Sequence, residues 1–373
     1  MPTDADPATK LPRDAAGRVA GIDFLRGMSI LGVLLLHLKA QIPSLLEVVP
    51  KGFRTALFWN GATGVVVFFA VSGFLITSNC LRRWGHLERV EPLEFYRFRF
   101  ARIGPCLLAI LAVLAALHLF QVQGFVIKTT SLPRALVAAL TFHLNWLEAK
   151  VGYLPGNWNV LWSLSVEEAF YVFFPLLCVG LKRGIVPLLL AFIVIGPFDR
   201  VAHLNEEIWG DESYLSGTDA IAFGCLAALV APRVPTRALT VLQVLGTACL
   251  VLVMGLKTQT AQLGLYKTGL DGTVLGAGAA MLCIAFQQRR GKGLPVFAPL
   301  RWLGRASYEV YLTHMFVILG LAPFVFPGRA GVTLGLCALL GWGFMKLYSE
   351  PLNARLRKHS DALRPAASKP VLE

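Results

Sequence analysis

Long apolar runs recur along almost the whole 373-residue chain, and they constrain its fold more than any other feature. Hydrophobic residues make up 55% of the sequence and charged residues only 15%, against about 25% charged residues in soluble domains. Several runs approach the ~20 residues that an α-helix needs to cross ~30 Å of hydrocarbon. Because every backbone polar group must be satisfied inside a bilayer, the sequence predicts an all-α, polytopic transmembrane helix bundle.

Eleven apolar windows are candidate membrane spans. They lie near 24–43, 61–79, 104–121, 134–147, 160–181, 184–198, 215–232, 238–256, 270–287, 307–325 and 331–348. The window 134–147 is the weakest, because it is short and contains His143 and Asn145. Cytoplasmic loops carry an excess of Lys and Arg. If 134–147 crossed, the basic loop 289–305 and the basic C-terminal tail would face outward.

The charge pattern therefore predicts about ten spans, with both termini cytoplasmic, in the inner (plasma) membrane as a multi-pass protein. We expect a cytoplasmic tail at 1–19, one transmembrane domain at 20–350 and a second cytoplasmic tail at 351–373. The net charge of +13 is spread over the loops between apolar runs, which argues against nucleic-acid binding. The seven cysteines show neither C-x-x-C spacing nor histidine clusters, so we interpret them as packing residues and expect no metal.

The first span, within "GIDFLRGMSILGVLLLHLKAQ" (21–41), contains Arg26 and His37. An ionisable group inside a span is costly and is a functional hypothesis by default. Eleven residues at 100° each put the two side chains within about 20° of one another on one helix face, about 16 Å apart along the axis. In the alternative interpretation, Arg26 extends to the headgroups and His37 is a hydrogen-bonded core histidine.

Two further polar islands follow. Ser72 lies in "FFAVSGFLITS" (68–78), where packing of small residues explains it as well as ligand contact does. Arg99 and Arg102 lie in "FYRFRFARIGP" (95–105), just before a span that we expect Pro105 to open. An i, i+3 pair of guanidinium groups can bind phosphate, and anchoring to anionic lipid is the alternative.

The stretch "NVLWSLSVEEAFYVFFPLL" (159–177) places adjacent carboxylates, Glu167 and Glu168, inside an apolar helix. They point about 100° apart, so we do not expect them to share one proton. Ser163, Glu167 and Tyr171 follow one another at i, i+4 and i+8 on one face. An acid that orients a histidine is a common catalytic arrangement, and structural pairing with a basic residue is the alternative.

A last stretch, "RWLGRASYEVYLTHMF" (301–316), buries His314 one turn past Tyr311. A hydrogen-bonded structural histidine is the alternative to a functional one here.

Five segments together resemble, in order, the motifs of the acyltransferase-3 family of integral membrane acyltransferases, which are related to O-antigen and polysaccharide O-acetylases. These segments are "GIDFLRGMSILGVLLLHL", "FFAVSGFLIT", "RFRFARIGP", "LWSLSVEEAFYVFFPLL" and "LGRASYEVYLTH". The resemblance extends from about residue 20 to 350. It implies an O-acyltransferase that moves an acyl group, usually acetyl, from cytoplasmic acyl-CoA to a hydroxyl of a carbohydrate or glycolipid acceptor, with no permanently bound cofactor.

The resemblance also implies roles for individual residues. His37 would be the general base and Glu167 would orient it. Arg99 and Arg102 would hold the CoA phosphates, and Arg26 would hold the donor farther along the same channel. The residues expected to line the substrate path are Ser72, Trp162, Ser163, Tyr171 and His314.

A transporter or flippase of a glycan or small molecule is the main alternative function. Such a protein would also bury polar residues in a multi-span bundle, but it should show inverted repeats with interrupted spans at matching positions. The sequence contains no such repeat.

Overall fold

The computed structural model describes residues 18–50, 54, 58, 61 and 63–362, and its described part consists of helices and loops without a β-strand. Most of the predicted N-terminal tail (residues 1–17) and the last residues of the predicted C-terminal tail (363–373) lie outside the described residues. The prediction of an all-α, polytopic bundle is confirmed.

Fourteen helices of the described chain are used below. They are α1 (Ala20–Gln41), α2 (Thr63–Trp84), α3 (Pro92–Leu119), α4 (Leu132–Leu140), α5 (Leu144–Val151), α6 (Trp162–Leu181), α7 (Ile185–Ala202), α8 (Tyr214–Val230), α9 (Leu239–Leu250), α10 (Leu270–Arg289), α11 (Ala298–Arg305), α12 (Ser307–Gly320), α13 (Arg329–Phe344) and α14 (Glu350–Ala362).

Eight helical stretches of the described chain are long and apolar enough to cross a membrane. One of them, Asn159–Ala202, has 44 residues and would measure about 66 Å as a straight helix, about twice the hydrocarbon thickness. It is interrupted at Lys182, whose φ of +52° ends α6 before α7 begins. The protein is therefore a multi-pass membrane protein, while the count of ten spans and the position of the termini stay predictions.

The weak window 134–147 does not form one continuous helix. Its residues fall in α4 and α5, which have nine and eight residues and are separated by a turn at Thr141–His143. A nine-residue helix rises only about 14 Å, about half of the hydrocarbon thickness. The geometry agrees with leaving this window out of the count of spans.

The expected start of the third span was wrong, and the domain boundary at residue 350 stays a prediction. Pro105 does not open a span, because α3 already begins at Pro92 and Pro105 lies buried inside it. Arg99 and Arg102 are consequently part of the helix rather than of the loop before it. The expected boundary at residue 350 falls within a helical run, since α13 continues through a π-helical turn, Met345–Ser349, into α14, which packs against α3.

Glycines let two pairs of helices approach to backbone contact. A Cβ at Gly73 of α2 would lie 2.1 Å from the carbonyl oxygen of Ile221 in α8, and one at Gly304 of α11 would lie 1.8 Å from that of Asp23 in α1. Small residues at such crossings are how membrane helices pack without a hydrophobic driving force. The contact with α11 fixes the first half of α1, which carries Arg26.

Candidate active site

A cavity of about 590 Å³ lies between α1, α2, α3, α6 and α12. It lies toward the end of the bundle at which α1 begins, which the charge pattern predicts to be cytoplasmic. The arginines that line it are Arg18, Arg26, Arg82, Arg83, Arg99, Arg102 and Arg357. A smaller cavity of about 220 Å³ adjoins it and shares Arg18, Arg26 and Arg102 with it.

Arg99 joins the two glutamates of α6. Its Nη2 donates to Glu167 Oε1 at 2.6 Å and its Nε donates to Glu168 Oε1 at 2.9 Å, while its guanidinium lies 4.3 Å from the centre of the Tyr171 ring. Glu167 also accepts a hydrogen bond from Ser72 at 2.5 Å, and Ser72 accepts one from Tyr171 at 3.1 Å. The two adjacent carboxylates therefore share one arginine. Of the two interpretations from the sequence, this contact favours structural pairing with a basic residue.

Other arginines of the cavity are also paired with acids. Arg102 Nη1 donates to Glu309 Oε1 at 2.7 Å, and Arg83 Nη2 donates to Glu94 Oε1 at 2.6 Å. Arg18 lies 4.0 Å from a carboxylate oxygen of Glu350. Seven arginines line the cavity, whereas Glu167 is the one acid among the described residues that line it. The wall is therefore net positive, which favours an anionic ligand.

Arg26 and His37 face the same neighbouring helix, α12. Arg26 Nε donates to Ser307 Oγ at 3.1 Å, and the ring of His37 lies 5.2 Å from the ring of His314, centre to centre. Their partners both belong to α12, so the expected shared face of α1 is confirmed.

Tyr311 closes the inner end of the cavity. Its hydroxyl donates to the carbonyl oxygen of Val160 at 2.9 Å and lies 2.7 Å from Ser163 Oγ. The ring of Tyr311 lies 5.9 Å from that of His314. Tyr311 thus separates the arginine-lined cavity from the pair His37–His314, and neither histidine belongs to the cavity wall.

His314 is fully buried and is held at one ring nitrogen. Its Nδ1 lies 2.7 Å from the carbonyl oxygen of Tyr311. Since a carbonyl only accepts, we assign the proton to Nδ1, which leaves Nε2 as an acceptor. Nε2 is buried and has no hydrogen-bond partner among the described residues. Nε2 of His314 can therefore accept a hydrogen bond from an N–H or O–H group that comes next to it.

The sequence-predicted residues divide into two groups. Those that line the cavity are Arg26, Ser72, Arg99, Arg102, Ser163 and Glu167. Those that lie behind the cavity wall are His37, Trp162, Tyr171 and His314. Trp162 packs edge-on against Phe69, and Tyr171 lies beneath Arg99. The expected pairing of Glu167 with His37 is not present, because Glu167 contacts Ser72 and Arg99 while His37 contacts His314.

Sequence reasoning missed the partners supplied by α12. Ser307 and Glu309 are buried and hydrogen-bond to Arg26 and Arg102, although both were visible as polar residues at the start of a span. It also missed Asp219, which is fully buried in α8 and accepts from Arg200 Nη2 at 2.6 Å. The signal was an acid inside an apolar run, while its partner Arg200 lies just after the apolar window 184–198.

A second acidic pair lies at the opposite end of the bundle. Glu148 of α5 is fully buried, accepts from the N–H of Leu154 at 2.8 Å and hydrogen-bonds to the carboxyl group of Glu212. Two carboxyl groups hydrogen-bond only when one of them carries a proton. Burial raises the pKa of Glu148 to about 8, although the hydrogen bonds from Leu154, Asn159 and Glu212 oppose the shift.

The raised pKa of Glu148 predicts a pH-dependent stability. The folded protein binds this proton more tightly than the unfolded chain, so stability should fall as pH rises from about 5 to about 8. In Glu148→Gln this component should disappear, and the variant should be the more stable protein above pH 8. Thermal unfolding in lipid nanodiscs across this pH range measures it. The exposed residue of the same end, Glu206→Gln, should retain the wild-type slope; an unchanged slope in Glu148→Gln would contradict the prediction.

Comparison with known proteins supplies the family. The family described as "Acyltransferase domain" matches residues 19–346. The peptidoglycan O-acetyltransferase OatA of Listeria monocytogenes serovar 1/2a is 29% identical over 330 residues, which cover 80% of this chain and 49% of that protein. The O-acetyltransferase OatA of Staphylococcus aureus (strain NCTC 8325 / PS 47) is 25% identical, covering 86% of this chain and 54% of that protein.

A putative peptidoglycan O-acetyltransferase of Bacillus subtilis (strain 168), YrhL, is 26% identical over 82% of this chain and 49% of its own length. The chain thus spans about half the length of the curated relatives that it matches, and no solved structure matches it. Since the family match covers most of the chain, including the five helices between which the cavity lies, this protein belongs to the acyltransferase domain family.

Proposed function

We propose that this chain is a membrane-bound O-acyltransferase that moves an acyl group, expected to be acetyl, from acyl-CoA to a hydroxyl of a cell-envelope glycan. One observation carries the proposal. A net-positive cavity between the helices ends at Tyr311, directly in front of two packed histidines. Acyl transfer requires a positively charged site for the anionic donor. It also requires a base near the donor's acyl group to take the proton from the acceptor hydroxyl.

The cavity suits the donor. Ligand sites for small molecules commonly enclose about 300–1,000 Å³, and this cavity measures about 590 Å³. Acyl-CoA carries its charge on phosphates at one end and its thioester at the other, and arginine binds phosphate with paired hydrogen bonds. The donor therefore enters with its acyl group toward Tyr311 and its nucleotide at the arginine-rich end.

In the proposed reaction the ring of Tyr311 turns away from its place between the cavity and the histidines, and His37 removes the proton from the acceptor hydroxyl as the oxygen attacks the thioester carbon. The new C–O bond forms, the C–S bond breaks, and His37 returns the proton to the departing CoA thiolate. While protonated, His37 carries a second N–H, and the unpaired Nε2 of the adjacent His314 ring is an acceptor for it. His314 thereby takes the orienting role expected for Glu167.

Glu167 then acts on the donor side. It lines the cavity and holds both Arg99 and Ser72, so it fixes the wall along which the thioester passes. Arg99 and Arg102 contribute positive charge to the site while remaining tied to their own carboxylates.

The relatives guide the choice of acceptor. Two of them are named as actual or putative peptidoglycan O-acetyltransferases. We therefore propose peptidoglycan or a related glycan as the acceptor, reaching His37 from the end opposite the arginines, in a protein of the plasma membrane.

A transfer assay tests this function. The full chain in lipid nanodiscs is incubated with acetyl-CoA labelled in the acetyl group and with peptidoglycan fragments. We expect release of CoA thiol together with base-labile label in the glycan. Intact acetyl-CoA in the presence of every glycan tested would overturn the proposal and favour a transporter or flippase.

A further inference from the structure

We propose that Phe68 of α2 sets the length of the acyl group that the protein transfers, so that acetyl is accepted while butyryl and longer chains are excluded. The inference rests on the proposed function and deepens it, because it names the acyl class of the donor and the residue that selects it. It starts from a change in the character of the cavity wall along α2.

One side of α2 lines the cavity along its length. The lining residues run from Val65 and Phe68 at the inner end to Arg82 and Arg83 at the arginine-rich end. Phe68 and Arg83 are fifteen residues apart, a rise of about 22 Å along the helix. The wall of the cavity therefore changes from basic to apolar along one helix. Since the burial of hydrocarbon is favourable, the apolar end is the place for the acyl group of a donor whose charge lies at the other end.

The facing helices complete this apolar end. Leu164 of α6 and Leu312 of α12 line the cavity beside Tyr311. The side chains that surround the acyl group are thus mainly hydrocarbon, which suits a saturated chain.

Phe68 forms the inner wall together with Tyr311. Their rings meet edge to face, with centres 6.4 Å apart and planes at 68°. The hydroxyl of Tyr311 is held by the carbonyl oxygen of Val160. When the ring of Tyr311 turns for the transfer, Phe68 still bounds the space beside the thioester because it belongs to a different helix. A chain longer than acetyl has to displace the Phe68 ring.

The neighbouring Phe69 lines the same cavity but has a different environment. It is only 2% exposed and packs edge-on against Trp162. A Cβ at Gly217 of α8 would lie 2.5 Å from the Phe69 ring, so this ring fills a gap in the core of the bundle. Phe68 is only partly buried. It is therefore the phenylalanine whose removal would mainly enlarge the cavity.

Acyl-CoA donors of increasing length test the assignment. Wild type and Phe68→Ala, in lipid nanodiscs with peptidoglycan fragments, are compared with acetyl-, butyryl- and hexanoyl-CoA by the release of CoA thiol. In the wild type we expect kcat/KM for butyryl-CoA to lie about 10-fold or more below that for acetyl-CoA, since two extra methylenes overfill the site. In Phe68→Ala the butyryl-to-acetyl ratio should rise about 10-fold, because each methylene that becomes buried contributes about fourfold.

Two results would overturn the inference. One is a butyryl-to-acetyl ratio in Phe68→Ala equal to that of the wild type. The other is a wild type that uses hexanoyl-CoA as well as acetyl-CoA. Phe68→Leu, which removes less volume, should raise the ratio by a smaller factor and decides the question if Phe68→Ala does not fold. Each ratio is measured within one preparation, so a lower yield of folded protein does not change it.

Phe98 of α3 is a matched control. It is another partly buried phenylalanine of the cavity wall, but its ring centre lies 3.9 Å from the guanidinium of Arg83, at the arginine-rich end. Phe98→Ala should change kcat/KM for all three donors by one common factor and leave the butyryl-to-acetyl ratio at its wild-type value. An equal rise of this ratio in Phe98→Ala would show that total cavity volume, rather than Phe68, selects the chain.

Thermal unfolding without glycan separates the inference from the proposed function. A bound donor raises Tm. Butyryl-CoA should raise the Tm of Phe68→Ala more than acetyl-CoA does, and the order should be reversed in the wild type. If this reversal appears but no acyl group reaches any glycan, the acyl site stands and the proposed function fails. If acetyl is transferred and Phe68→Ala keeps the wild-type ratio, the function stands and the inference fails. Absence of both donor binding and turnover in the wild type overturns both.

Discussion

Replacing His37 with glutamine is expected to lower acyl transfer to the glycan by about 10²–10⁴-fold, the range that a positioned general base contributes. Glutamine is similar in size to histidine, so the packing against His314 is largely kept, but its amide cannot take a proton from a hydroxyl. Because His37 lies behind Tyr311 and outside the cavity wall, the KM for acetyl-CoA should stay near the wild-type value. Initial rates in nanodiscs at saturating donor measure the effect.

Two variants sharpen this result. His118 lies away from the cavity, where its Nδ1 accepts from the N–H of Ile127 at 3.1 Å, and His118→Gln should transfer at the wild-type rate. In His314→Gln an amide oxygen can still accept from His37, so this variant should retain more activity than His37→Gln. Near-normal transfer by correctly inserted His37→Gln would show that another group is the base.

Replacing Arg99 with methionine should strongly destabilise the folded protein. Glu167 and Glu168 would then lie in the membrane-spanning part of the bundle without their cation, and removing one partner of a buried ion pair costs about 3–5 kcal/mol. Tm, measured by intrinsic fluorescence of the purified protein in nanodiscs, should fall well below that of the wild type. The variant Arg82→Met, at an exposed arginine of the same cavity, should unfold close to the wild-type temperature.

The role of Arg99 can be read from a compensating variant. Adding Glu167→Gln and Glu168→Gln to Arg99→Met removes the unpaired charges, so part of the lost stability should return. The alternative from the sequence, a phosphate-binding arginine, makes the opposite prediction. Arg99→Met would then unfold at the wild-type temperature while the KM for acetyl-CoA rises, and this outcome would rule out a mainly structural ion pair.

Arg99 and Arg102 illustrate why a sequence pattern alone does not reveal the role of a residue. Their i, i+3 spacing predicted that both side chains lie close together, and both line the cavity. The spacing does not reveal which acid from a distant part of the chain forms an ion pair with each arginine. Glu309 lies 207 residues after Arg102, and only the packing of α12 against α3 brings them together.

The sequence by itself determined the class of fold, the shared face of Arg26 and His37 and the family. Each of these depends on local periodicity or on the order of motifs, because a bilayer leaves a helix as the only form for an isolated apolar run. Tertiary structure alone decided the pairings. In the folded protein Glu167 pairs with Arg99 rather than with His37. His314 packs beside His37, and Tyr311 lies between the histidines and the cavity. The physical reason is that hydrogen bonds and ion pairs act over a few ångströms, so they depend on how non-neighbouring helices cross rather than on any spacing along one of them.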